Sequence, residues 1–122
     1  MPLSWEPFLS ERPLAVVATA GPDGIPHAVP VEVVVDGGRV YVWCHATSVK
    51  ARNAAREGRA ALVAYKGRAF ALVRGTARLL SADDDDYERI TAAFLAKYAR
   101  EETYGNDCLI EITPERVSTD GI

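Results

Sequence analysis

Long uncharged runs are absent from this sequence, and their absence bears first on membranes. The longest uncharged stretches, such as residues 14–22, are far shorter than the roughly 20 apolar residues of a membrane-spanning helix. Residues 1–8 also lack the basic cluster, apolar run and small-residue cleavage site of a signal peptide. We therefore expect no membrane partner and a cytoplasmic location.

Cysteine is scarce as well. The two cysteines, Cys44 and Cys108, lie far apart in the sequence, which excludes the disulfide framework of small secreted domains and fits a reducing cytoplasm. Together with His27 and His45 they form no short Cys-x-x-Cys motif, so we expect no metal site. Both cysteines are expected to be small, buried strand residues.

Positive charge is also in short supply. The chain has 14 Lys and Arg against 17 Asp and Glu, a net charge of −3, which leaves no broad positive field for nucleic acid. Its 122 residues, 48% of them hydrophobic, fit a single globular domain over residues 1–122. Any anion that this protein binds must therefore be held by a local group of residues.

The residues that are present predict strands separated by glycine-rich turns. We expect six strands, at residues 14–20, 27–35, 39–44, 59–65, 69–80 and 108–112. The second carries valine at every second position from Val29 to Val35, interrupted by Pro30, which cannot donate a ladder hydrogen bond and marks an edge, a bulge or a ligand-facing break. Pro114 is expected to end the last strand.

Three helices are predicted between these strands. The first covers residues 5–11, the second runs from a Thr47 or Ser48 cap to about residue 57, and the third starts at the aspartates 83–86 and reaches Arg100. The fold class is therefore mainly β (α+β), a six-stranded antiparallel β-barrel with flanking helices. Since about eight strands are needed before a barrel interior holds a ligand, a ligand must bind outside, against a partner subunit.

The start of the second helix carries the parts of a phosphate site. Residues 46–53 combine hydroxyl groups, free backbone N–H groups and the positive end of a helix dipole, with Lys50 and Asn53 on one face. Most capped helices bind nothing, so Lys50, Arg52 and Arg56 are equally well explained as a solvated basic face. The residues alone leave these two interpretations open.

Five short segments occur in an order that resembles the pyridoxamine 5'-phosphate oxidase-like, FMN-binding split-barrel family. They are Val17-Ala18-Thr19, Pro22-Asp23-Gly24-Ile25-Pro26-His27, Pro30-Val31, Thr47-Ser48-Val49-Lys50-Ala51-Arg52-Asn53 and Arg74-Gly75-Thr76-Ala77. Together they extend over nearly the whole chain. The resemblance implies a split barrel that forms a homodimer, with two cofactor sites in grooves at the subunit interface.

The resemblance also implies which residues bind the cofactor, either FMN or, in one branch of the family, a deazaflavin coenzyme. Carried over by position, Ser48, Lys50 and Asn53 hold the cofactor phosphate, with Arg52 as a further member. Thr19, Val29, Pro30 and Val31 face the ring system, and Trp43, Cys44 and His45 enter the same groove.

The expected function is that of a flavin- or deazaflavin-dependent oxidoreductase, which transfers hydride between its cofactor and a small organic substrate. The vitamin-metabolising oxidases of the family end in an arginine-containing substrate motif that residues 116–122 lack, so true pyridoxamine phosphate oxidation is not expected. Residues 50–53 are more similar to the deazaflavin-dependent branch. No catalytic side chain is expected, because flavins carry hydride chemistry themselves. The alternative is a non-catalytic binder of FMN, of haem through His45, or of a linear tetrapyrrole.

Overall fold

The computed structural model describes residues 5–99 and 107–122. In chain order these form helix α1 (Trp5–Ser10), strands β1 (Ala15–Ala20), β2 (Pro26–Val31), β3 (Val33–Asp36) and β4 (Arg39–His45), helix α2 (Val49–Glu57), strands β5 (Arg59–Lys66) and β6 (Ala69–Leu80), helix α3 (Tyr87–Lys97) and strand β7 (Asp107–Asp120). The strands make one antiparallel sheet in the order β2-β1-β5-β6-β7-β4-β3. Within the described ranges no helix has the length and apolar character needed to cross a membrane.

The two edges of this sheet are consecutive in the chain. Strands β2 and β3 lie at opposite ends of the strand order, yet only Glu32 separates them. Val31 is opposite Ala15 of β1, whereas Val33 is opposite Val42 of β4. The sheet must therefore curl until its edges meet at Glu32. This confirms the predicted mainly β, antiparallel split barrel with flanking helices.

The described residues form seven strands rather than six, because the segment predicted as one strand at residues 27–35 is two. Its two halves pair with different neighbouring strands, and residues at the end of α3 bind the backbone where the halves divide. The hydroxyl of Tyr98, just after α3, accepts a hydrogen bond from the Val33 N–H at 2.9 Å, and Lys97 Nζ donates to the Val33 carbonyl at 2.7 Å. Alternating valines specify a strand but not the neighbours with which each half pairs.

Apolar side chains fill the space inside the curled sheet, as expected for so small a barrel. The buried set includes Val17, Val33, Val40, Leu62, Val73 and Ile110 from the strands, Trp5 and Leu9 from α1, and Ala51 and Ala54 from α2. A second cluster lies under α3 and includes Val34, Tyr41, Leu80, Ile90, Phe94 and Leu109. Concave sites for ligands therefore lie on the outer surface.

The expectation that Pro114 ends the last strand is wrong. Strand β7 continues to Asp120, and its pairing with β6 shifts by one residue, because Gly75 is opposite Pro114 whereas Arg74 is opposite Arg116. Glu115 is the extra residue of a β-bulge. A bulge interrupts the ladder and tolerates a proline that has no N–H to donate, so the strand passes through it.

The predicted start of the third helix is too early. Helix α3 begins at Tyr87, after a turn in which the Asp84 carboxylate accepts a hydrogen bond from the Ser81 N–H at 2.8 Å. Asp86 is the N-cap residue, but its side chain makes no capping hydrogen bond and instead contacts Arg89 at 3.0 Å. The predicted end at Arg100 lies outside the described residues.

A buried carboxylate on β7 holds the hydroxyl of Tyr41. Glu111 is 3% exposed; it accepts from the Tyr41 hydroxyl at 3.0 Å and from Arg78 Nε at 2.7 Å. Burial and then this hydrogen bond raise the pKa of Tyr41 to about 12, from the ordinary value of 10.0. Between about pH 10 and about pH 12, the folded protein therefore keeps the Tyr41 proton, whereas the unfolded chain has released it.

We expect the free energy of unfolding to fall with pH between about pH 10 and about pH 12, because the unfolded state binds fewer protons there. The Tyr41→Phe variant should lack this part of the decline, although it loses a hydrogen bond at neutral pH. Urea unfolding of both proteins across that interval measures the difference. Equal pH slopes for the two proteins would show that Tyr41 titrates normally.

Candidate functional site

Helix α2 has the ends that the sequence predicts. Ser48 is the N-cap; its Oγ accepts from the Ala51 N–H at 3.3 Å and donates to the His45 carbonyl at 2.8 Å. Gly58 ends the helix at φ 68°, where a residue other than glycine would be strained. The N–H groups of Val49 and Lys50 have no acceptor within the helix, since intrahelical bonding begins a turn later. The positive end of α2 is therefore available to an anion.

A cleft of about 380 Å³ lies next to this helix end, on the outside of the barrel where the sheet edges meet. It is lined by Leu14, Pro30, Val31, Glu32, Trp43, Cys44, His45, Lys50 and Asp107. The fold thus brings four of the predicted cofactor residues together, namely Pro30, Val31, Trp43 and Lys50. Cys44 and His45 lie in the same groove, as the resemblance implies.

Asn53 and Thr19 lie behind the cleft and contact each other. Asn53 is 2% exposed and Thr19 is 5% exposed. The Asn53 side-chain amide donates to the Thr19 hydroxyl at 3.1 Å, and its oxygen accepts from Arg56 at 2.8 Å, while Arg56 also donates to the Ala20 carbonyl at 2.7 Å. This network ties α2 to β1. Direct contacts of Asn53 and Thr19 with a cofactor stay predictions.

The Asn53→Ala variant should lose roughly 1–2 kcal/mol of stability, because the buried Thr19 hydroxyl would be left without its partner. Arg52→Ala serves as the matched control, since Arg52 lies on the same helix and is exposed. Urea unfolding compares the two variants with the wild type. Equal stability of both variants would show that the network does not hold α2 in place.

The remaining predicted residues differ in which way they face. Val29 is opposite Val17 and packs against the barrel core, whereas Pro30 is exposed on the outer face. The Ser48 hydroxyl is engaged in capping α2. Arg52 is exposed and is not among the residues that line the cleft. An outer ligand would thus meet Pro30 and strand backbone, with Lys50 as the cation nearest the cleft.

Two further features of the cleft concern its polar groups. Trp43 lines the cleft, and its indole N–H is buried without an acceptor among the residues that the structure describes. His45 Nδ1 lies 3.4 Å from Asp107 Oδ1; the imidazole is 65% exposed and the carboxylate 4% exposed. Sequence reasoning missed Asp107, since only the pairing of β4 with β7 places it opposite His45.

An apolar area continues from the cleft over the outer face of β1, β2 and β5. A concavity of about 460 Å³ there shares Leu14 and Pro30 with the cleft and also includes Val16, Val63 and Tyr65. Leu14 is 56% exposed and Tyr65 is 67% exposed. Exposed apolar surface of this kind, rimmed by polar residues, commonly marks a protein–protein contact.

Comparison with known families identifies the chain. A family model described as pyridoxamine 5'-phosphate oxidase matches residues 2–120, nearly the full length. The chain belongs to the pyridoxamine 5'-phosphate oxidase family. No curated protein that was compared matches this chain.

Solved structures show how widely the fold of this family member is shared. Conserved hypothetical protein Rv2991 from Mycobacterium tuberculosis has a TM-score of 0.82 at 20% identity, covering 93% of this chain and 80% of that one. An F420 reductase gives 0.76 at 21% identity, covering 97% and 98%. HutZ, a heme storage protein from Vibrio cholerae, gives 0.81 at 15% identity, covering 98% and 96%. At such identities the similarity shows a common fold and no common activity.

Proposed function

We propose that this protein binds FMN or a deazaflavin coenzyme in the cleft beside Lys50 and acts as an oxidoreductase on a small organic substrate. The proposal rests on one observation, which is that an anion site and an apolar wall lie in the same cleft. Lys50 and the open N–H groups of α2 supply an anion site, and Pro30 and Trp43 supply a flat apolar wall. Membership of the family and similarity to an F420 reductase support it.

The residues of the cleft suit the two ends of such a coenzyme. Lys50 Nζ and the N–H groups of Val49 and Lys50 would bind the phosphate through charge-assisted hydrogen bonds. The ring system would lie against Pro30 and Trp43. When bound, the coenzyme supplies the hydride chemistry. The protein's own contribution would be to orient the ring and exclude water.

A second copy of the chain would complete the site. Ligand pockets generally enclose most of the ligand, whereas this cleft of about 380 Å³ is open on the outside of the barrel. The apolar face around Val16, Val63 and Tyr65 continues from the cleft and would be covered in a homodimer. We expect sedimentation at twice the 13.2 kDa of one chain. A 13.2 kDa species with coenzyme present would contradict the dimer.

The proposal is tested by adding FMN and the reduced deazaflavin coenzyme separately and following fluorescence. We expect micromolar binding of at least one of them; failure of both to bind would overturn the proposal. Turnover of a quinone or a nitroaromatic compound with the reduced coenzyme then separates an enzyme from a binder. We place the activity in the cytoplasm, where cysteines stay reduced.

A second candidate function is non-catalytic binding of haem or a linear tetrapyrrole. His45 favours it, because its imidazole is 65% exposed and lines the cleft, with Nδ1 3.4 Å from Asp107 Oδ1. Imidazole is a common metal ligand, and HutZ shares the fold. Hemin titration followed at the Soret band tests it. A band shift that His45→Ala abolishes would support haem binding, and no shift would exclude it.

A further inference from the structure

The two cysteines of the chain meet beneath the cleft. Cys44 of β4 is directly opposite Cys108 of β7, and their Sγ atoms are 3.7 Å apart. Both side chains are buried, at 8% and 3% exposure. Residues opposite each other in an antiparallel pair have Cα atoms about 4.5–5.5 Å apart, within the range of disulfides. The two sulfurs could therefore bond by side-chain rotation, without movement of the strands.

The two thiols differ in access and in acidity. Cys44 lines the cleft, whereas Cys108 does not. The hydrogen bond from Cys108, followed by the Ser48 hydroxyl and the Lys50 charge, lowers the pKa of Cys44 to about 7 against the opposing effects of burial and Asp107. The hydrogen bond to Cys44 and burial raise the pKa of Cys108. Cys44 is thus the more reactive sulfur, and Cys108 keeps its proton.

We propose that Cys44 and Cys108 form a redox-active dithiol that a peroxide entering the cleft converts to an intramolecular disulfide. The Cys44 thiolate attacks one peroxide oxygen and the O–O bond breaks, giving a sulfenic acid and hydroxide. The Cys108 sulfur then attacks the Cys44 sulfur, the S–O bond breaks, and water leaves with the proton of the thiol. Overall, two thiols and one hydrogen peroxide give one disulfide and two waters.

Hydrogen peroxide treatment of the reduced protein tests the proposal. Because the chain has only two cysteines, an intramolecular disulfide can join only Cys44 and Cys108. We expect loss of both thiols in a thiol assay of the denatured protein, a mass lower by two hydrogens, a monomeric band on a non-reducing denaturing gel, and full reversal by dithiothreitol. Retention of both thiols, mass gain by oxygen alone, or cross-linked chains would overturn it.

Two single variants test the order of the steps. Cys108→Ser should leave a sulfenic acid on Cys44 that dimedone traps, because the resolving thiol is missing. Cys44→Ser should leave Cys108 unreactive, because it does not line the cleft. Labelling of Cys108 in the Cys44→Ser variant, or none of Cys44 in Cys108→Ser, would contradict the order. Should either variant fold poorly, phenylarsine oxide offers a test on the wild type: a close dithiol binds one arsenic with loss of both thiols, and separated thiols do not.

Discussion

Replacing Gly75 by alanine should destabilise the protein by about 3 kcal/mol or more, which lowers the melting temperature by about 10 °C for a domain of this size. A Cβ at this position would lie 1.9 Å from the Thr113 carbonyl oxygen and 3.0 Å from the Glu115 nitrogen. These are backbone atoms of the β-bulge, so no side chain can move aside to make room. The close approach of β6 to β7 explains why glycine stands here.

The Gly67→Ala variant is the matched control for this prediction. Gly67 lies in the turn between β5 and β6 at φ +60°, with no atom near an added Cβ, so only the left-handed backbone strain of about 1 kcal/mol is expected. Thermal and urea unfolding should rank Gly75→Ala well below Gly67→Ala. Equal losses in the two variants would mean that the bulge relaxes around a methyl group.

Replacing Lys50 by alanine should weaken coenzyme binding about 30-fold, the equivalent of about 2 kcal/mol for a charge-assisted hydrogen bond to phosphate. Of the described residues that line the cleft, Lys50 is the only lysine or arginine, and it lies at the positive end of α2. Fluorescence titration with FMN measures the change. The loss of affinity should be confined to ligands that carry a phosphate, because Lys50 contributes little to the apolar wall.

Two controls separate this local contact from general effects of charge. Lys66→Ala removes an exposed lysine at the end of β5 that does not line the cleft, and it should leave FMN affinity within about twofold. Riboflavin, which has the ring of FMN without its phosphate, should bind wild type and Lys50→Ala alike. An unchanged affinity of Lys50→Ala for FMN would refute the assignment of Lys50.

Local sequence signals predicted most of the elements correctly. The Ser48 cap and Gly58 mark the ends of α2, and the predicted bounds of β6 are those observed, because capping and glycine-bounded turns act within a few residues. The division at Glu32 and the continuation past Pro114 were not predicted. Both depend on which distant strand each segment pairs with, and a periodic pattern does not contain that information.

The same limit applies to the candidate site. The motif resemblance predicted that Lys50, Pro30 and Trp43 lie in one cleft, and the structure places them there. It did not indicate that Asn53 is hydrogen-bonded to Thr19, nor that Cys108 lies against Cys44. Helical spacing predicts which residues share a face of α2, but the partner that each face meets is decided by sheet register.

The location of the phosphate in a crystal structure of the FMN complex tests the proposed function most directly. We expect phosphate oxygens within about 3 Å of Lys50 Nζ and of the Val49 and Lys50 N–H groups, with the ring against Pro30. The same crystal shows whether a second chain covers Tyr65. A phosphate bound elsewhere, or a cleft filled by neighbouring side chains with Lys50 in solvent, would contradict the coenzyme site.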